Sequence, residues 1–276
     1  MKTCVSMWSL VPLVRSGEVD TVSFVKYAAS VRAQGVELLN IFWKDRDREI
    51  PLVRQALADA GLTVAVYDAT NDFSRQDPAE RAAQVTRVKE DVDVALELGT
   101  DTVRVFAGDL RDGIRFETCL DWIVSGLQEC ASYAASRGVT LTLENHGKLA
   151  GRSSQVAEIL RLVGSPALKV TIDTANFLLV DEDPNAAIRA VAAQTGHVHF
   201  KDFRPAPADY QGRTYRSLAG KPFIGVVAGQ GSVDLKQAVA DLRAAGYDKW
   251  LSIEFESETD PLTGTAASLA ALQGVL

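Results

Sequence analysis

Apolar and polar positions along the chain follow two alternating periods. Short β-branched runs at 3–8, 36–39, 63–67, 102–106, 140–144, 169–173, 197–200 and 250–254 read as strands. The longer stretches between them, such as 78–98 and 116–135, space their apolar residues three and four apart, as an amphipathic helix does. Eight such cycles predict an α/β fold, a (β/α)₈ or TIM barrel whose parallel strands are covered on both faces. Gly35, Gly61, Gly99 and Gly138 each stand just before a strand, where glycine suits a left-handed cap on the preceding helix. A doubly wound open sheet is the competing architecture, but no G-x-G-x-x-G follows the first strand, and Gly229-Gln230-Gly231 comes too late.

One stretch breaks the rhythm. Residues 203–232 carry Pro, Gly and basic side chains with little helical periodicity. Because they follow the seventh strand, they are expected to form a functional loop over the barrel mouth of a single domain spanning 1–276.

Composition narrows the function classes. The length of 276 residues suits one barrel, and 47% hydrophobic with 24% charged residues is ordinary for a soluble globular chain. A net charge of −7 argues against a nucleic-acid partner but leaves a small anionic substrate open. No apolar run is long enough for a signal peptide or a membrane span, so the expectation is a cytoplasmic protein with no membrane partner. Cys4, Cys119 and Cys130 form no C-x-x-C pair and are expected to be reduced structural thiols.

In a parallel barrel the chemistry sits at the C-terminal ends of the strands. There the chain places Glu144, Asp173, His199 and Glu254, at or near the tips of strands five to eight. Carboxylates at the ends of buried strands are costly unless compensated, and one cation shared by all four tips would compensate them. Three carboxylates and one imidazole form a hard, oxygen-rich set that favours Mn²⁺ or Mg²⁺, with Co²⁺ or Zn²⁺ as alternatives.

The strings Leu143-Glu144-Asn145-His146, Ile172-Asp173-Thr174-Ala175-Asn176, His197-Val198-His199-Phe200-Lys201-Asp202, Gly229-Gln230-Gly231-Ser232-Val233-Asp234 and Tyr247 to Glu254 resemble the sugar phosphate isomerase/epimerase family with its xylose isomerase-like barrel. The resemblance covers nearly the whole chain. It implies that Glu144, Asp173, His199 and Glu254 hold one divalent metal ion. It further implies that Glu144 and Glu254 are the acid/base pair, acting on a carbohydrate or cyclic ketone through a metal-stabilised enediolate. Departures limit it: Asn176, Ala150 and Pro205 stand where ketose 3-epimerases of this group carry His, Glu and Arg. The Glu-Asn-His and His-Val-His-Phe-Lys-Asp strings are closer to inosose dehydratase. That makes a lyase on an inosose, a 3-dehydroshikimate or a 3-keto-glycoside the alternative to a sugar, sugar phosphate or keto-polyol isomerase. A homodimer or homotetramer is implied in the same way. A DNA-repair endonuclease on this barrel needs more histidines than three and a basic surface.

Other residues have two readings each. His146 either binds substrate or caps its loop. Lys201 shares the face of His199, where it either holds a substrate oxygen or pairs with Asp202 or Glu256. Asn176 either bonds a substrate hydroxyl or satisfies loop backbone. Trp8, Phe42 and Trp43 either stack on a ring or pack in the core. Arg204, Arg213, Arg216 and Lys221 either hold a phosphate or form a solvated loop face. Alternation is read as turning His197 away from His199, to pack as a structural histidine.

Overall fold

A computed structural model describes all 276 residues. Its strands in chain order are β1 (Lys2–Ser6), β2 (Gly35–Leu39), β3 (Thr63–Asp68), β4 (Thr102–Val105), β5 (Thr140–Glu144), β6 (Leu168–Asp173), β7 (Thr195–Phe200), β8 (Asp202–Pro205), β9 (Tyr215–Arg216), β10 (Pro222–Val226) and β11 (Trp250–Ile253). Eight of them close a parallel barrel in the order β1, β11, β7, β6, β5, β4, β3, β2. The expected barrel is therefore present, and its strand ends fall within two residues of those expected from the pattern.

Most of the barrel strands carry an apolar residue at every second position, and that face packs against the helices. Val5, Val36, Leu38, Val103, Val105, Leu141, Leu143, Val170, Ile172, Val198, Phe200, Leu251 and Ile253 all belong to one apolar core between sheet and helices. The intervening positions face the barrel axis and are polar in much of the sheet: Ser6, Glu37, Asp68, Arg104, Thr142, Glu144, Thr171, Asp173, His197, His199 and Ser252 are all buried.

Two expectations change. Gly61 and Gly99 do cap helices with φ of 65° and 83°, but Gly35 lies inside β2 with no such backbone. It is glycine because a Cβ there would come within 2.8 Å of the Thr63 carbonyl and 2.9 Å of the Trp250 ring. Residues 203–232 are also more ordered than the expected irregular loop. β8, β10 and β9 form a three-stranded antiparallel sheet, with Phe203 stacked on Tyr215 at 4.7 Å. It is tied to the C-terminal side of the barrel: Leu218 N donates to Leu179 O, and Arg213 N donates to Glu258. The Gly229-Gln230-Gly231 turn is no nucleotide loop. The amides of Gly229, Gly231 and Val233 donate to buried Asp202 at 2.8 to 3.1 Å, which anchors the end of the sheet.

The three cysteines are free and buried, and no helix is long and apolar enough to cross a membrane. Outside the barrel axis, Asp91 is a buried carboxyl that accepts from Asn40 at 2.7 Å, and burial pushes its pKa up to about 7. Between the unfolded value near 3.9 and about 7 the folded chain holds a proton that the unfolded chain has lost, so this group makes stability fall as pH rises. Urea unfolding of Asp91→Asn beside the parent should show the variant gaining about 2–3 kcal/mol in relative stability from pH 5 to pH 8. A constant difference across that range would show that Asp91 stays ionised.

Candidate functional site

The C-terminal end of the barrel is built by short stitches between neighbouring strand ends. Asn145, fully buried, donates to Asp173 O at 3.0 Å and accepts from Asp173 N at 2.7 Å, which locks the tip of β5 to that of β6. Thr174 Oγ1 donates to Lys201 O at 2.6 Å and accepts from Lys201 N at 3.1 Å, which does the same for β6 and β7. These two residues explain why Asn follows Glu144 and Thr follows Asp173: each fixes the height of the carboxylate next to it.

The four strand-tip residues converge. Ligand atoms of Glu144, Asp173 and His199 all lie within 4.8 Å of one another. His199 Nδ1 stands 3.6 Å from Glu144 Oε2 and 2.7 Å from Glu254 Oε2, so the two glutamates approach it from opposite sides in the strand order. Donors of this kind spaced so closely fit one ion bound at roughly 2 Å from each. Asp173 Oδ2 and both His199 ring nitrogens are buried and make no well-aligned hydrogen bond, although Oδ2 lies 2.8 Å from Lys201 Nζ and Nδ1 lies 2.7 Å from Glu254 Oε2. A second close group, Glu37, His197 and His199, shares His199 with the first.

The electrostatics are dominated by burial. It pushes the Asp173 carboxyl up to about 7, against the pull of Lys201. Burial raises Glu144 as well, but His146 and Arg104 outweigh it and hold that carboxyl well below the usual range. Glu254 is likewise held below its ordinary value, because Lys201 and His199 overcome desolvation.

Each remaining candidate has a definite place. Lys201 is buried with its Nζ 2.8 Å from Asp173, 3.2 Å from Glu254 and 3.5 Å from Glu256, while Asp202 is turned away to the glycine turn. Asn176 is buried and donates to Glu144 Oε1 at 3.2 Å. His146 is the most open of the polar groups, its side chain 39% exposed, with Nδ1 2.9 Å from Glu144 Oε1 and its ring on Phe106 at 4.1 Å. Trp8 lies at the rim against Phe42 and donates to Glu256 at 2.5 Å. Trp43 instead donates to Tyr67.

His197 corrects the sequence reading. Residues two apart on a strand share a face, so His197 and His199 both point inward, their rings edge to face at 5.1 Å. His197 is packed as expected, but inside the barrel, 2.7 Å from Glu37.

Three functional-looking residues escaped the sequence reading. Glu37, Asp68 and Arg104 lie on β2, β3 and β4, all nearly free of solvent. Arg104 Nη2 is 2.9 Å from Asp68, its Nε is 3.2 Å from Glu144, and the guanidinium lies 4.0 Å over the Phe106 ring. The signal was available for two of them, Glu37 between Val36 and Leu38 and Arg104 between Val103 and Val105, whereas Asp68 follows Tyr67 and has the parity of Val64 and Val66.

With this geometry in place, the family follows. Residues 25–275 match the family described as Xylose isomerase-like TIM barrel. The chain belongs to it. Among curated relatives, it is 26% identical over 139 residues to inosose dehydratase of Lacticaseibacillus casei, covering 49% of this chain and 47% of the relative. It is 29% identical to 3-dehydroshikimate dehydratase of Pseudomonas putida, over 73% of this chain and 31% of the relative. It is 28% identical to L-ribulose 3-epimerase of Mesorhizobium japonicum, over 83% and 75%. The chain thus spans about half the length, or less, of these two dehydratases. These relatives are enzymes, and they divide between epimerase and dehydratase. The fold also matches the crystal structure of IOLI protein with a bound zinc atom, at TM-score 0.78 and 16% identity over 100% of this chain and 96% of that one.

Loss of Arg104 would remove the buried cation shared by Asp68 and Glu144. Arg104→Met should cost about 3–5 kcal/mol in urea unfolding. A loss below about 1 kcal/mol would mean that the two carboxyls are neutralised in some other way.

Proposed function

We propose that this xylose isomerase-like protein is a divalent-metal-dependent isomerase or epimerase. Its substrate is a sugar, sugar phosphate or keto-polyol, and the reaction is proton transfer through an enediolate. The reading rests on one observation: Glu144 and Glu254 reach His199 from opposite sides, with Asp173 beside them. Glu144, Asp173, His199 and Glu254 hold the ion. Mn²⁺ best suits their oxygen-rich set, and the zinc atom in IOLI protein makes Zn²⁺ the first alternative. Such an ion supplies Lewis acidity that lowers the cost of negative charge on a substrate oxygen.

The rest is the work of side chains. One of Glu144 and Glu254 takes the proton from the carbon beside the carbonyl, and the other returns one from the far side. Arg104 and His146 keep Glu144 ionised, the form in which a carboxylate can accept a proton or hold a cation. Lys201 and Asn176 donate to substrate oxygens from the floor of the site, while His146 and Trp8 meet the substrate at the rim.

A lyase is the second reading, favoured by the buried Lys201 ammonium 3.2 Å from Glu254. An ammonium there can hydrogen-bond the β-hydroxyl that departs from a cyclic ketone, while the carboxylates around it keep it protonated. The two dehydratase relatives point the same way.

Elemental analysis of protein incubated with Mn²⁺ or Zn²⁺ should find about one equivalent of metal, lost in His199→Ala and Asp173→Asn. Absence of metal from the parent protein would overturn the proposal. The loaded enzyme, screened on keto-sugars and cyclic ketones in D₂O, should place deuterium beside the carbonyl of a product of unchanged composition. Loss of water with a new ultraviolet-absorbing enone would transfer the assignment to the lyase.

A further inference from the structure

Glu37 is a fully buried carboxylate that the proposed reaction does not use. It sits on β2, whereas the histidines it touches sit on β7, and these strands are separated in the barrel by β1 and β11. The contact therefore crosses the barrel interior. β2 also shifts register against β3 between Val36 and Glu37, and β6 shifts against β7 between Val170 and Thr171. Such irregularities re-aim the side chains that follow them. Here the extra residues are Ala65 on β3, opposite the step from Val36 to Glu37, and Gly196 on β7, directly before His197.

The two oxygens of Glu37 are divided between the two rings. Oε2 lies 2.7 Å from His197 Nε2, and Oε1 lies 3.2 Å from His199 Nε2, within reach of a hydrogen bond though imperfectly aligned. The other nitrogen of His199, Nδ1, is the one that faces Glu144 and Glu254. An imidazole binds a metal through one nitrogen and needs an acceptor for the N–H on the other. A carboxylate seated behind the ring fixes which nitrogen is free and how the ring is turned.

We infer that Glu37 is the positioning residue of the metal centre: it accepts the Nε2–H of His199 and so presents Nδ1 to the ion. This rests on the metal reading above. His197 is the second donor that holds Glu37 in place, which gives the inward turn of His197 a purpose beyond packing. The alternative use of the same three residues, a second ion between Glu37, His197 and His199, would have to displace the contact at 2.7 Å.

The chain has only three histidines, so the ring nitrogens can be assigned by nuclear magnetic resonance of ¹⁵N-histidine-labelled protein titrated with Zn²⁺. In the loaded protein His199 Nδ1 should carry the metal and Nε2 a proton. Zinc affinity should fall about 10–100-fold in Glu37→Ala, with Glu37→Gln, which keeps one acceptor oxygen, in between. Ligation through Nε2, a second equivalent of zinc on His197, or unchanged affinity in a folded Glu37→Ala would overturn the inference and leave the metal reading standing. Failure of the parent protein to take up zinc or manganese would overturn both.

Discussion

The constraint on which this barrel depends is the burial of carboxylates around its axis. Glu37, Asp68, Glu144, Asp173 and Glu254 are all nearly free of solvent, and the permanent cations among them are Arg104 and Lys201. An ionised carboxylate is stable in such a place only when a cation or several donors face it. The arrangement follows from that rule. Arg104 divides its guanidinium between Asp68 and Glu144, Lys201 sits among Asp173, Glu254 and Glu256, and the histidines link the two halves. Even so, acids outnumber permanent bases, and burial leaves Asp68 and Asp173 displaced upward from the usual carboxylate range. That imbalance is the electrostatic ground for the proposed cation.

Positive charge alone would not organise a reaction, and the stitches at the strand ends supply the order. Asn145 ties β5 to β6 through the backbone N–H and C=O of Asp173, and Thr174 ties β6 to β7 through those of Lys201. A carboxylate whose own peptide is clamped to the next strand has few rotamers left, so its ordering cost falls on folding instead of on ligand capture. Asp202 performs the same service one residue beyond Lys201, where its three backbone donors anchor the small sheet that follows β7.

Much of this was legible in the sequence, and the rest failed for identifiable reasons. The β/α rhythm and the strand-tip set Glu144, Asp173, His199 and Glu254 could be read because polar residues interrupt apolar runs at their ends, and the structure brings those four together. Glu37 and Arg104 were hidden because they lie within strands, where a charge reads as an exception to an apolar run, although alternation with Val36, Leu38, Val103 and Val105 marks them as inward. His197 was turned the wrong way by a miscount of that same alternation. The sheet within 203–232 escaped because β9 has only two residues and β8 begins one residue after β7 ends, too little length for a period to emerge. Gly35 was taken for a cap because helix ends and close strand contacts both call for glycine, and only the Trp250 ring beside it decides between them.

A division of labour between the two faces of the barrel explains how so polar an axis is tolerated. The main apolar core, 63 buried residues, gathers the outward faces of the strands and the helices packed on them, while the Cys4, Ala65 and Val66 cluster stands apart as a small one. Apolar burial on that scale supplies the folding free energy, at about 25 cal/mol for each Å² removed from water. The inward positions are thereby released from packing and can be filled with groups that oppose folding when uncompensated. On the proposed metal reading, a cation that binds only the folded chain would repay part of that opposition by mass action, so carboxylates that weaken the ion-free barrel would tighten its hold on the ion. In this fold the site and the instability are one set of residues, and changes that relieve the second must weaken the first.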